Sequence, residues 1–268
     1  MKNHPNKSKL PAWLKKPLLY AAAVAVWVLV WYLAARRIGE ELLLPRPGAV
    51  IRRLAELTVT AGFRRVVLTS LGRIAAGMVI GVTVGCVLAL FTHFVPPLYT
   101  LFHPVITVIR STPVASFIIL IYLWIGRDLL PGFVSVLLVL PVVWANLHEA
   151  LGAVDPDLLE MARLFRLPLR KRITRVYLPS VMPSFMAACR TSVGLSWKAG
   201  IATEVLVVPA LSIGRHLADA KLYMETVDLF AWTLAVVLLS LLLELTITLL
   251  FSRFEKRRGQ RSERSAHE

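Results

Sequence analysis

The sequence is short of acid, of cysteine and of any phosphate-binding loop, and each shortage removes a class of function. Its 16 Asp and Glu stand against 31 Lys and Arg, a formal net charge of +15. Only 18% of residues are charged while 57% are hydrophobic, which excludes an ordinary soluble domain. The two cysteines, Cys86 and Cys189, lie far apart in apolar stretches and read as small buried residues, not as a disulfide or metal site. His148 has no second His or Cys at ligand spacing, so no metal is expected. Ser192 and Ser196 lack the context of a nucleophile elbow, which removes hydrolase chemistry. A membrane-embedded enzyme would need His, Asp or Cys gathered at one membrane face, and the sequence offers no such group. Nor is there a G-x-x-x-x-G-K-S/T loop, so this chain is expected to hydrolyse no ATP itself and not to be an enzyme.

What the sequence does have is long apolar runs. Crossing about 30 Å of hydrocarbon takes roughly 20 helical residues. Six spans are predicted, at about 18–35, 66–91, 98–125, 129–151, 179–207 and 227–252. The first is too long for a secretory signal and ends in Arg36-Arg37, so it reads as a retained helix. Gly77, Gly81 and Gly85 fall four apart in the second, a face that lets another helix approach closely. Pro104 and Pro113 predict a kinked or broken third span. Between 36 and 65, Val50, Ile51, Leu54 and Leu57 form an amphipathic stretch expected along the membrane interface. The expected organisation is 1–65 (tail, first span and interfacial segment), 66–254 (transmembrane domain) and 255–268 (a charged tail, expected frayed).

The basic residues flank these spans. Seventeen lie at the N-terminus, in 155–179 and at the C-terminus, against ten in the opposing loops. That pattern fits cytoplasmic flanks facing anionic lipid better than nucleic-acid binding, and it puts both termini inside. Seven arginines between 36 and 65 run against the rule.

Residues 155–179 are a polar, strongly basic block between apolar spans. Asp155 is placed to cap a helix, with Pro156 in its first turn and Asp157 complementing the positive end. Leu158, Leu159, Ala162, Leu164 and Phe165 give that helix a broad apolar stripe, and Pro168 opens a second short helix. Outside the bilayer such a stripe must bury itself against its own membrane domain or against a partner, and spacing does not choose between them.

Glu160, Ala162, Val176, Leu178 and Pro179 follow the coupling-loop pattern E-A-A, three residues, G, nine residues, I-x-L-P. Ser70-Leu71-Gly72-Arg73, Arg110-Ser111-Thr112-Pro113-Val114-Ala115, Trp124-Ile125-Gly126, Asn146, Trp197 and Ala202-Thr203-Glu204 add further matches in order. The chain resembles the binding-protein-dependent ABC importer permeases, in the branch for nitrate, taurine and aliphatic sulfonates and the related one for thiamine-pyrimidine and riboflavin-type substrates. The resemblance implies an all-α polytopic membrane protein of about six helices with a cytoplasmic coupling helix pair. It further implies a homodimer in a bacterial cell membrane, two ATPase subunits holding ATP and Mg, and an extracytoplasmic solute-binding protein. Asp155, Glu160, Met161, Ala162, Arg163 and Arg166 would then meet the ATPase, while Val176, Leu178 and Pro179 set the return into the membrane. Met161 stands where the pattern prefers Ala, and Arg166 where it has Gly. Gly would allow a positive φ there, so Pro168 is expected to supply the break instead.

Charge inside a bilayer costs at least ~2.5 kcal/mol at mid-depth, so ionisable residues within spans need partners or water. Arg73, Glu149 and Arg190 are expected to pair or reach the span ends. Arg110, Pro113, Asn146, Trp197, Lys198 and Glu204 are the candidates for the translocation path. A pairing of Glu204 with Lys198 or Arg110 would remove that argument. An ion-coupled secondary transporter using Arg110, Lys198 and Glu204 is the rival reading, though it has no use for a docking helix and usually shows inverted repeats.

Overall fold

The computed structural model describes residues 12–267, with side chains from 18 to 253, and every element among them is helical. In order these are α1 (Ala12–Ile38), α2 (Pro47–Val59), α3 (Ala61–Phe94), α4 (Pro96–Ser111), α5 (Val114–Tyr122), α6 (Leu130–Gly152), α7 (Pro156–Leu164) and α8 (Leu169–Arg172). A π-helical turn, Ile173–Tyr177, leads into α9 (Leu178–Val207), followed by α10 (Ile213–Leu222) and α11 (Thr226–His267). Four helices carry a membrane-length apolar stretch: Leu18–Ile38, Ala61–Phe94, Leu130–Gly152 and Thr226–Arg253.

The third expected span is broken as Pro113 predicts. α4 and α5 meet at 102°, and together they are apolar enough for one more crossing. Pro113 stands at the N-cap of α5 with φ −58° and ψ 131°, an extended geometry that stops the helix before it. The fifth expected span is one continuous helix, α9, but it is set apart by composition. Ser192, Ser196, Thr203 and Glu204 on it are buried against protein. A helix surrounded by other helices tolerates this polarity, and lipid does not.

α3, α6 and α9 form the core. The glycine stripe is the reason α3 and α6 lie so close: a Cβ on Gly77 would meet the backbone carbonyl of Gly132. At Gly81 it would stand 2.9 Å from Cβ of Val139, and at Gly85 3.0 Å from the Leu140 oxygen. The stripe is thus a packing face. Its rising partners on α6 show that the two helices run parallel, both ending toward 155–179, and α9 returns from there. Val66, Ile74, Trp197, Ile201, Ile213 and Trp232 pack at the far end, and Ala89, Val143, Trp144, Leu147 and Ala188 nearer the coupling end.

α2 is amphipathic as expected, but its apolar side serves the protein. Val50 is fully buried, while Arg53 grips Asp228 at the start of α11 with two nitrogens, at 2.5 and 2.9 Å. The hydrogen bond to Asp228, with Glu56 also beside it, raises the pKa of the Arg53 guanidinium, so this side of the clamp stays charged. Trp31 of α1 donates to the Pro45 carbonyl at 3.1 Å and stacks on Phe230, joining the first span to the same corner. One expectation is corrected here: the C-terminal segment, expected to fray, continues α11 as helix to His267. Residues 1–11 and 268 lie outside the described part, and with them part of the N-terminal tail.

Candidate coupling surface and transport path

The coupling loop is built from its caps upward. Asp155 Oδ1 accepts the Asp157 N–H at 2.9 Å, satisfying a donor that the start of α7 leaves open. One side of α7 turns inward: Ala162 is 1% exposed and packs with Val154 and Val176, bordered by Leu159, Leu167, Tyr177 and Val181. The other side is bare. Leu158 and Met161 are 40% and 44% exposed, and Leu164 and Phe165 reach 76% and 73%. Beside them Pro156, Leu159, Glu160, Arg163 and Leu164 line a shallow groove of about 540 Å³. The stripe seen in the sequence is therefore split, half packed on the chain's own membrane domain and half open.

Arg166 ends α7 in the left-handed region, φ 47°. The Leu167 N–H donates to the Ala162 carbonyl at 3.0 Å and the Arg166 N–H to that of Arg163 at 2.9 Å. This is the Schellman pattern, which favours glycine at the position Arg166 occupies. Pro168 does not make the break, as had been expected; it follows it, standing at the N-cap of α8. Arg166 keeps the turn that glycine would give, at a steric cost of about 1–2 kcal/mol. After α8 the Leu178 N–H reaches the Ile173 carbonyl, five residues back, in the wide turn that precedes Pro179. Val176 is buried beneath α7 and Leu178 is half exposed at the head of α9. Tyr177 meets Phe94 edge-on at 5.9 Å, so the loop rests on the end of α3. His148 stacks on Tyr99 at 4.6 Å and lies 3.2 Å from the Thr92 hydroxyl, an aromatic layer just behind that contact.

The structure divides the pathway candidates. Glu204 is fully buried and Trp197 is 1% exposed, so neither presents a surface to a path in this protomer. Glu204 is paired, though with neither Lys198 nor Arg110. Its Oε1 accepts from Arg73 Nη1 at 3.0 Å, and its Oε2 from the Ser70 hydroxyl at 2.8 Å and the Gly214 N–H at 3.2 Å. Ser70 in turn accepts the Ile213 N–H at 3.0 Å, and Arg73 reaches Asp128 at 3.2 Å. α3, α9 and α10 are locked together by one satisfied carboxylate. Gly214 belongs to the lock, since a Cβ there would run into the Glu204 backbone and Cβ. Trp197 Nε1 donates to the Val236 carbonyl at 3.1 Å. Asn146 is half-buried, donating to Val142 one turn back.

Arg110 and Lys198 behave differently: both are exposed, with no acidic partner among the described residues. Arg110 stands in the last turn of α4, just before the Pro113 bend. Sequence reasoning missed Asp128 and Gly214 of the lock, because their partners lie 55 and 10 residues away and only the fold joins them. It also passed over Glu244 of α11, whose Oε1 would stand 3.2 Å from a Cβ on Gly194. Arg190, expected to pair, lies over the Phe251 ring at 5.8 Å.

Residues 81–260 match the family described as the binding-protein-dependent transport system inner membrane component. The chain belongs to that family. Among curated relatives, SsuC of Bacillus subtilis, named for aliphatic sulfonates transport, is 25% identical over 82% of this chain and 78% of its own. The nitrate import permease NrtB of Synechococcus elongatus is 25% identical over 81% and 82%, and the formylaminopyrimidine permease ThiX of Halalkalibacterium halodurans 25% over 63% and 68%. Among solved structures, the bacterial alginate ABC transporter bound to its periplasmic protein covers 90% of this chain and 96% of its own. That likeness has a TM-score of 0.62 at 16% identity, a likeness of fold. The chain is thus an inner-membrane permease subunit of an ABC importer, a transport subunit whose ATPase is a separate chain.

Proposed function

We infer that two copies of this chain enclose a substrate path and take their energy through α7. The observation that carries this is the pair Leu164 and Phe165, about three-quarters exposed beside the Glu160 groove on a helix outside the spans. An apolar knob with a carboxylate beside it, held by a tight turn and backed by buried Ala162 and Val176, suits the cleft of a separate ATPase subunit. That subunit holds the ATP and Mg. ATP binding draws two such subunits together, α7 transmits the movement to the ends of α3 and α9, and hydrolysis resets them. A solute-binding protein delivers substrate on the far side, and both termini face the cytoplasm.

Arg110 and Lys198 support an anionic substrate. A cation at membrane depth without a carboxylate is tolerated only where water or a ligand reaches it, which points the face bearing them toward the path between two copies. The named relatives fit that chemistry in part: sulfonates and nitrate are small anions, and a pyrimidine vitamin precursor is the other class. The ion-coupled alternative loses its carboxylate, because Glu204 is satisfied by three donors and has no open side.

The test is co-purification from native membranes with and without Glu160→Lys. Wild type is expected to bring down an ATPase subunit with ATP hydrolysis stimulated by the loaded binding protein, and the variant to lose the subunit or the stimulation. Transport by the chain alone under an ion gradient would sink the reading.

A further inference from the structure

The arginines on the membrane face opposite the coupling loop fall into two groups. Arg46, Arg53, Arg73 and Arg215 each have a carboxylate of the chain within 4.0 Å. Arg36 and Arg37 of α1, Arg52 of α2, Arg64 and Arg65 of α3, and Arg127 are exposed and have no acidic partner among the described residues; of these, Arg52, Arg64 and Arg65 belong to the α2–α3 corner. Their positions work against them on two counts. Arg64 and Arg65 are the fourth and fifth residues of α3, beside its positive end, and its first turn carries no acid. They also stand on the face that membrane proteins leave poor in basic residues. Unpaired cations kept at such a place call for an anion from outside the chain.

The surface beneath them says what kind of anion. Arg64, Leu68, Ala75 and Val79 share one face of α3, and Leu68 and Val79 are 68% and 62% exposed. Arg52 has Ile51, 58% exposed, as its neighbour on the open side of α2, and Val59 at its end is 84% exposed. Guanidinium groups at the head of an exposed apolar stripe match a phospholipid, whose phosphate pairs with the arginines while its chains lie along the stripe. A soluble protein docking from above would use the cations and leave the stripe unused.

We propose that Arg52, Arg64 and Arg65 form a binding site for anionic phospholipid in the leaflet opposite the coupling loop, holding the α2–α3 corner in place. The placing of these arginines on the basic-poor face, and the naming of that leaflet as the outer one, rest on the orientation proposed above.

The experiment is native mass spectrometry of the full chain in mild detergent with equal amounts of phosphatidylglycerol and phosphatidylcholine. Wild type is expected to retain phosphatidylglycerol preferentially, and Arg64→Gln to lower that retention about fivefold. Arg52→Gln/Arg64→Gln/Arg65→Gln is expected to abolish the part of the preference due to this patch, and Arg46→Gln, whose cation is already paired, to leave it unchanged. Comparison of variants with wild type separates this patch from the basic flanks on the other face. Should the triple variant fail to fold, the single one carries the test, with equal melting temperature as the check. Equal retention by wild type and Arg64→Gln overturns the proposal, as does unchanged lipid retention with loss of binding-protein capture.

Discussion

At the scale of the residue, three positions hold geometry that composition does not suggest. Arg166 adopts φ 47° where its Schellman turn favours glycine. Arg166→Gly is therefore expected to raise stability by about 1 kcal/mol, read as a higher melting temperature in detergent, and Arg166→Val to lower it. Glu204 of α9 holds three donors, two from α3 and one from α10. Glu204→Ala strands Arg73 and is expected to cost about 3–5 kcal/mol, with the double change Arg73→Met/Glu204→Met recovering a large part. His216, on α10 outside the spans, is open to solvent on one side and stacks on Trp232 at 4.5 Å on the other, and the desolvation on that side pushes its pKa below the ordinary histidine value. A base whose folded pKa lies below its unfolded one contributes full stability above the unfolded value of about 6.5 and loses it as pH falls. The melting temperature should accordingly drop on acidification toward pH 5, and drop less in His216→Gln. Of these three, only the unusual residue at 166 was legible in the sequence, because it broke a spaced pattern. The partners of Glu204 were not, since Ser70, Arg73 and Gly214 meet it only once α3, α9 and α10 have packed.

At the scale of the element, periodicity and proline carried most of the reading. The spans at 66–91 and 129–151 correspond to α3 and α6, and Pro113 marks the 102° bend because a residue before proline avoids helix and proline donates no N–H. Gly77, Gly81 and Gly85 announced a close helix contact, though not that α6 would fill it. Gly77→Val is expected to drive the two helices apart and lower the melting temperature sharply, by the equivalent of several kcal/mol, while Gly72→Val, with open space at its Cβ, should change little. What hydropathy could not deliver was α9. Its buried Ser192, Ser196, Thr203 and Glu204 make it a helix solvated by helices, and its polarity is explained only by what surrounds it. The tail was misjudged for the opposite reason: charge alone argued for fraying, while in the structure it simply prolongs the long apolar helix before it.

At the scale of the molecule, the parallel helices α3 and α6 both end at the coupling loop and α9 starts from it. A movement of α7 would therefore reach three core helices at once, through Val176 beneath it and the Tyr177–Phe94 contact beside it. The far end is held by different means, the Glu204 lock and the Arg53–Asp228 clamp. A rigid far corner and a loaded near end suit a body that tilts as a unit. If the exposed tip of α7 is the seat of the ATPase, a cross-link from that tip should reach it. With Cys86 and Cys189 replaced by alanine, Leu164→Cys would be treated with a short thiol reagent in native membranes. A product joining this chain to an ATPase subunit is expected, with a yield that changes on adding ATP. A cysteine at 164 that stays unlinked, while one at exposed Leu222 on the far face captures the ATPase, would contradict it.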